Sequence, residues 1–254
     1  MGRSAFLQVN EVTKTFPVPG GRLPVLSGVS FSLPEGSFTS IVGPSGCGKT
    51  TLMKILAGIM PLDSGEIRLG DEAMNTRGRV AYMPQSDTLL PWRSALDNAL
   101  LPSQIEHRPR AAAIKEARDL FSRFGLSGFE RLFPAEMSGG MKQRLALMRT
   151  FLSHRDILLL DEPLGALDAL TRAHLQDWLL SVWCEMRKTI LLVTHDVEEA
   201  LLLSDRIILF SARPAHVQAN FAVDEPRPRA RSDRSLMQRK EELLRLIYAE
   251  ERSG

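Results

Sequence analysis

The sequence predicts an α/β chain built on a mostly parallel sheet, with a strand-rich start and a helical middle. Residues 157–160 (ILLL) and 189–193 (TILLV) are unbroken apolar runs, the pattern of strands covered on both faces in a parallel sheet. Helical spacing over 169–187 and 197–203 separates these strands from each other and from a third at 206–210. Strand–helix alternation of this kind implies right-handed crossovers. From 91 to 154 the spacing is helical, a compositional shift that marks a helical subdomain at about 86–154.

Taken in order, 7–9 and 29–33 alternate apolar and polar residues as half-buried strands do, with turn punctuation at Gly20-Gly21 and Pro34-Glu35-Gly36. A strand at 38–42 runs directly into GPSGCGKT at 43–50, and 50–59 then has helical spacing. Residues 66–69 and 80–83 return to strand. Helices over 94–101, 111–124 and 139–152 are broken by Pro102, Gly125 and Pro134. The tail opens with DEPRPRARSDR (224–234), which reads as a solvated linker, and 236–248 then regains helical periodicity. The expected organisation is one domain at 1–225, followed by a linker and C-terminal helix at 226–254. That helix is either regulatory or simply packed on its own domain.

With 254 residues the chain can build its own core without a disulfide or metal staple. Its two cysteines, Cys47 and Cys184, show no metal-ligand spacing and read as reduced thiols of a cytoplasmic protein. A net charge of +2 argues against a dedicated nucleic-acid surface. The start carries no apolar core of signal-peptide length, and Phe6 occupies the position where a myristoylation pattern wants Ser or Thr. No uncharged apolar run approaches the ~18 residues that would span a bilayer. The chain is expected to be soluble, or peripheral to a membrane through a partner.

Gly43-Pro44-Ser45-Gly46-Cys47-Gly48-Lys49-Thr50 satisfies the phosphate-loop pattern between a strand and a helix, the context that pattern requires. Its glycines let backbone N–H groups converge on phosphate oxygens, and the following helix adds the positive end of its dipole. Lys49 is expected to reach the β- and γ-phosphates, and the Thr50 hydroxyl to coordinate Mg²⁺. Asp161, at the end of a buried strand, can hold Mg²⁺ as well, and Glu162 beside it can polarise the attacking water. MSGGMKQR (137–144) poses a puzzle, because it is a second glycine loop before a helix, without a lysine.

The order GPSGCGKT, Gln85, MSGGMKQR, ILLLDEP, GALD and His195 resembles the nucleotide-binding subunit of an ATP-binding cassette (ABC) transporter, over about residues 5 to 220. The resemblance implies the ABC ATPase fold: a P-loop NTPase core with a mostly parallel sheet, an N-terminal antiparallel β subdomain and a helical signature subdomain. It implies a homodimer in which each ATP lies between one copy's phosphate loop and the other's signature, MSGGM here. A lone phosphate loop leaves one face of the γ-phosphate in water, and a second glycine loop at a helix N-terminus covers that face. Met141 stands where the family has Gln, which removes a side-chain amide, while Ser138, Gly139 and Gly140 are intact. Carried over residue by residue, Glu162, His195, Lys49 and Gln85 form the catalytic set. Phe16 stacks on adenine, or is core. Thr51 and Asp168 join the nucleotide-binding residues, and Thr50, Gln85 and Asp161 attend the metal.

YMPQSDTLLPWRSALDNALLP (82–102) and the text from DEPLGALDALTR to VTHDVEEALLLSDRI resemble importers for nitrate, sulfonates and taurine, a group that includes carriers of a thiamine pyrimidine precursor. Leu89, Leu90, Pro91 and Trp92 then form the groove that receives a permease helix, Trp92 having a core role as its alternative. Transmembrane permease subunits, an extracytoplasmic solute-binding protein, ATP and Mg²⁺ as cofactors, and a place on the cytoplasmic face of the inner membrane follow from the resemblance. A soluble cassette ATPase and a small-molecule kinase are the competing classes.

Overall fold

An antiparallel hairpin, β1 (Ala5–Val18) and β2 (Gly21–Pro34), takes up the start of the chain. It turns through Gly20, whose φ of 86° suits glycine. The computed structural model describes residues 5–70, 72–73, 78–165 and 167–253. The strand pattern expected at 7–9 and 29–33 extends into strands of 14 residues each. Register slips between Val9 and Thr15 break the alternation and hide this length from the sequence.

Along the chain follow β3 (Phe38–Val42), α1 (Lys49–Leu56), β4 (Ser64–Leu69), β5 (Glu72–Ala73) and β6 (Val80–Met83). Next come α2 (Ala95–Ala99), α3 (Leu101–Ile105), α4 (Arg110–Arg123), α5 (Gly139–Phe151), β7 (Ile157–Asp161) and α6 (Ala169–Met186). The chain ends with β8 (Thr189–Val193), α7 (Val197–Leu203), β9 (Arg206–Phe210), β10 (Val217–Ala222) and α8 (Arg234–Ser253). Pro102, expected to break a helix, opens α3 instead, because a first-turn position has no amide to lose.

The chain divides into two compact units, residues 1–80 with 187–254, and residues 81–186. In the first, the antiparallel sheet runs β2-β1-β4-β5. A second sheet there places β3 between β8 and β9, parallel to both, with β10 antiparallel on the edge. The residues of β3 and β8 are all buried, the polar ones included: the Ser40 hydroxyl meets that of Ser204, and the Thr189 hydroxyl accepts from the Gly36 amide. Strand β10 went unseen in the sequence because VQANFA carries no clean alternation and only half-buries its residues. The core of this unit includes Val197, Leu201, Ile207, Leu209, Leu236 and Leu243 from α7, β9 and α8.

The arginine run before α8 is more than the solvated linker expected of it. Arg229 is 9% exposed. It donates to the carbonyls of Leu201 (2.8 Å), Ser204 (2.6 Å), Val223 (2.8 Å) and Glu225 (2.8 Å). Arg227 bonds Asp205 and the Leu203 carbonyl. Unsatisfied carbonyls at a helix C-terminus draw cations, and α7 ends between these two guanidiniums.

In the second unit, β7 is buried along its whole length, and α5 buries Leu145, Ala146, Leu147, Met148 and Phe151. Trp178 of α6 packs on Phe124 and Phe151, with ring centroids 3.7 and 5.6 Å away. Among the described residues no helix is long and apolar enough to cross a membrane.

Candidate active site

Strand β3 delivers the glycine loop to the carboxyl end of its parallel neighbours, where open α/β sheets place ligands. Gly48 sits at φ 126° at the N-cap of α1. A Cβ there would lie 2.9 Å from Val25 Cγ1 and 3.1 Å from the Val25 carbonyl, so no other residue fits. Gly46 and Ser45 form the exposed tip. Lys49 is 7% exposed, and its ammonium donates to the carbonyls of Gly43 (2.8 Å) and Pro44 (2.7 Å), with Cys47 Sγ at 3.8 Å. The loop thus wraps its own cation, and phosphate oxygens can take over from these carbonyls without the lysine travelling far. Thr50 and Thr51, both half-buried, occupy the first turn of α1, which carries no acidic residue to compete with an anion.

Phe16, half-buried near the hairpin end, has the Lys14 ammonium 5.8 Å from its ring centroid. His195 is exposed between β8 and α7. The Thr194 amide bonds Ile41 of β3 at 3.2 Å, and Asp196 caps α7 through the Glu198 and Glu199 amides. Both neighbours of His195 are therefore held in place.

In the second unit the two carboxylates behave differently. Asp161 is 1% exposed and accepts from the Tyr82 hydroxyl at 3.2 Å. Burial, with the Asp161 charge beside it, pushes the Tyr82 phenol well above its ordinary value, so it stays a donor. Glu162, next in the chain, is only partly buried and receives Gln85 Nε2 at 3.0 Å on its carboxylate. Its φ of 50° is the left-handed region, which costs a non-glycine residue about 1–2 kcal/mol. Gln143 of α5 donates to the Glu162 carbonyl at 3.3 Å and helps to hold that turn. A strained, partly exposed carboxylate beside a glutamine is a suitable base for a water molecule.

Ser138 caps α5, its hydroxyl accepting from the Met141 amide at 3.3 Å, and is itself exposed with Gly139. Gly140 lies beside Leu167, whose Cδ2 a Cβ would approach to 3.2 Å. Asp168 accepts from the Thr171 amide at 3.0 Å, and backbone bonds of this kind hold its carboxyl below the ordinary value. Trp92 is 71% exposed while Leu89 is buried, which removes the core alternative for Trp92.

Residues 26–165 match the family described as ABC transporter, more than half of the chain. The chain belongs to the ABC transporter family. This cassette is 37% identical to an aliphatic sulfonates import ATP-binding protein of Bacillus cereus, covering 94% of both chains. It is 43% identical to a formylaminopyrimidine import ATP-binding protein of Halalkalibacterium halodurans, over 76% of both. Its fold matches a solved dimeric cassette in a post-hydrolysis state bound to ADP and phosphate, at TM-score 0.79 and 28% identity. That match covers 87% of this chain and all of the other. The cassette is an ATPase of the group that includes these import proteins.

Reading the sequence of the cassette by motif missed the residues that hold the motif residues. Tyr82 and Gln143 lie in quoted segments yet carried no assigned role. Arg149 donates to the carbonyls of Asp87 and Thr88 and to the Thr88 hydroxyl, fixing the loop after Gln85 to α5. Only spacing along a helix could have suggested it, because Arg149 lies about two and a half turns beyond the glycine pair.

Proposed function

We propose that this cassette hydrolyses ATP to drive uptake of a small solute of the nitrate, sulfonate and taurine class, through a permease that is a separate chain. A thiamine pyrimidine precursor is the alternative cargo, in keeping with the formylaminopyrimidine relative. The observation that carries the catalytic reading is the Gln85–Glu162 contact at 3.0 Å, which joins two independently expected residues at a strained turn.

The proposed chemistry divides as follows among these residues. Phosphoryl transfer asks for positioning and charge stabilisation more than covalent work. The phosphate loop, Lys49 and the first turn of α1 bind the triphosphate. Glu162 takes the proton of the attacking water, Gln85 orients that carboxylate, and His195 contacts the γ-phosphate. Thr50, Asp161 and Gln85 offer oxygen donors that suit Mg²⁺, few enough that the ion also needs phosphate oxygens. When bound, Mg²⁺ would neutralise charge developing on those oxygens. Tyr82, by donating to Asp161, orients that carboxylate.

Two copies of the cassette, packed head to tail, complete each site with the partner's Ser138, Gly139 and Gly140 over the γ-phosphate. ATP then bridges two surfaces and favours the closed pair, and hydrolysis weakens the bridge. The dimeric state of the relative supports the pairing. A permease and an extracytoplasmic binding protein would place the pair at the cytoplasmic face of the membrane, and Trp92, exposed beside buried Leu89, is a fitting contact for the permease.

Isolation of the tagged cassette from detergent-solubilised membranes tests this. A permease should co-purify, and in vesicles with the binding protein an alkylsulfonate should raise ATP turnover several-fold. Recovery without any membrane protein, with turnover indifferent to solute, would favour the soluble ATPase.

A further inference from the structure

The strand that bears Phe16 is held by a carboxylate that no motif marks. Asp63 lies between α1 and β4, and its side chain reaches back to β1. Its Oδ1 accepts from Lys14 Nζ at 2.7 Å and its Oδ2 from the Thr15 amide at 2.7 Å. The Asp63 amide donates to the Thr13 carbonyl at 3.0 Å, and the hydroxyls of Thr13 and Ser64 meet at 2.6 Å. These bonds cluster where β1 slips register against β2, between Val12 and Thr15. Slipped registers leave ladder groups unpaired, and Asp63 supplies the missing acceptor. The Lys14 ammonium, first, and the Thr15 amide hold the Asp63 carboxyl below its ordinary value.

Lys14 is 8% exposed, and a buried ammonium requires an anion nearby. With Asp63 as that anion, Lys14 stays at the Phe16 ring, 5.8 Å from its centroid. Across the hairpin, Lys14 pairs with Leu26 and Phe16 with Leu23. Leu26 in turn packs on the phosphate loop, since a Cβ on Gly48 would stand 3.0 Å from Leu26 Cδ2. One strand therefore separates the Lys14–Phe16 pair from the loop that binds phosphate.

We propose that Asp63 is a positioning residue for the nucleotide base: it holds Lys14 against one face of Phe16 and fixes the slipped strand, so that the ring offers its opposite face to a purine. The inference rests on the reading of Phe16 as the base-stacking residue. The bonds of Asp63 run to Thr13, Lys14 and Thr15 of β1, not to the phosphate loop, so its expected contribution is to the base alone.

Calorimetric binding of Mg²⁺-ATP and of Mg²⁺-tripolyphosphate to the full chain separates the two parts. Asp63→Asn and Lys14→Gln should each weaken ATP binding about three- to tenfold and leave tripolyphosphate within about twofold. Lys14→Arg keeps a cation at the ring and should recover most of the loss. Phe16→Ala should lose the preference for ATP over tripolyphosphate, and adding Asp63→Asn to it should cost nothing further. Equal weakening of both ligands, in Asp63→Asn or in Lys14→Gln if the former does not fold, would make Asp63 a mere scaffold residue and overturn the proposal. So would an undiminished ATP affinity alongside an intact Phe16→Ala effect. If Phe16→Ala itself leaves the preference at its wild-type value, the stacking reading of Phe16 has failed, and the proposal with it.

Discussion

Glu162 and Asp161 are neighbours in sequence with opposite surroundings. The strand end buries Asp161 and gives it Tyr82, whereas the turn lifts Glu162 partly into solvent at a φ of 50°. A buried, hydrogen-bonded carboxylate is held in one orientation, as a metal ligand must be, and a partly exposed one beside an amide can accept a proton. Glu162→Gln is therefore expected to cut phosphate release at least about 100-fold while equilibrium ATP binding stays within about threefold. Turnover at the wild-type rate would mean that another group is the base. The acid pair was legible from ILLLDE, because a buried strand ending in acids, in a chain that also carries a phosphate-loop motif, is a recognisable pattern. Their division of labour rests on Tyr82, Gln85 and Gln143, which lie between 19 and 79 residues away.

At the scale of elements, α7 shows how short helices are held. Asp196 satisfies its first amides and Arg229 with Arg227 its last carbonyls, so a helix of seven residues needs no long amphipathic face. Burial lowers the Arg229 pKa to about 10, yet the group remains a cation at neutral pH. Arg229→Met should cost about 3 kcal/mol, since several carbonyls lose their donor together. A chemical denaturation midpoint reads this directly, and Arg229→Lys should recover only part of it. An unchanged midpoint would show that water replaces the guanidinium at no loss. The helix itself was plain in VEEALLL. Its clasp was not, because DEPRPRARSDR has no periodicity and its partners lie up to 28 residues upstream.

For the whole molecule, the proposed head-to-tail pairing assigns the two glycine loops to different pockets. The phosphate loop wraps its own lysine, whereas the exposed Ser138–Gly139 end of α5 offers helix N-terminal amides. In a permease-free preparation, turnover per subunit should therefore rise with protein concentration. Ser138→Arg should flatten that rise without weakening ATP binding to the single subunit. A wild-type rate independent of concentration would place the whole pocket within one chain and remove the reason for the second loop.

The sequence by itself determined the family motifs and the α/β class, because phosphate binding and parallel-sheet burial each impose a local pattern of a few consecutive residues. Only the tertiary structure decided what holds those residues: Tyr82 on Asp161, Gln143 on the Glu162 carbonyl, Asp63 on Lys14, and Arg229 on the end of α7. Such supports are made by single polar side chains across long stretches of chain. They leave no periodic trace, and nothing short of the folded backbone brings donor and acceptor together.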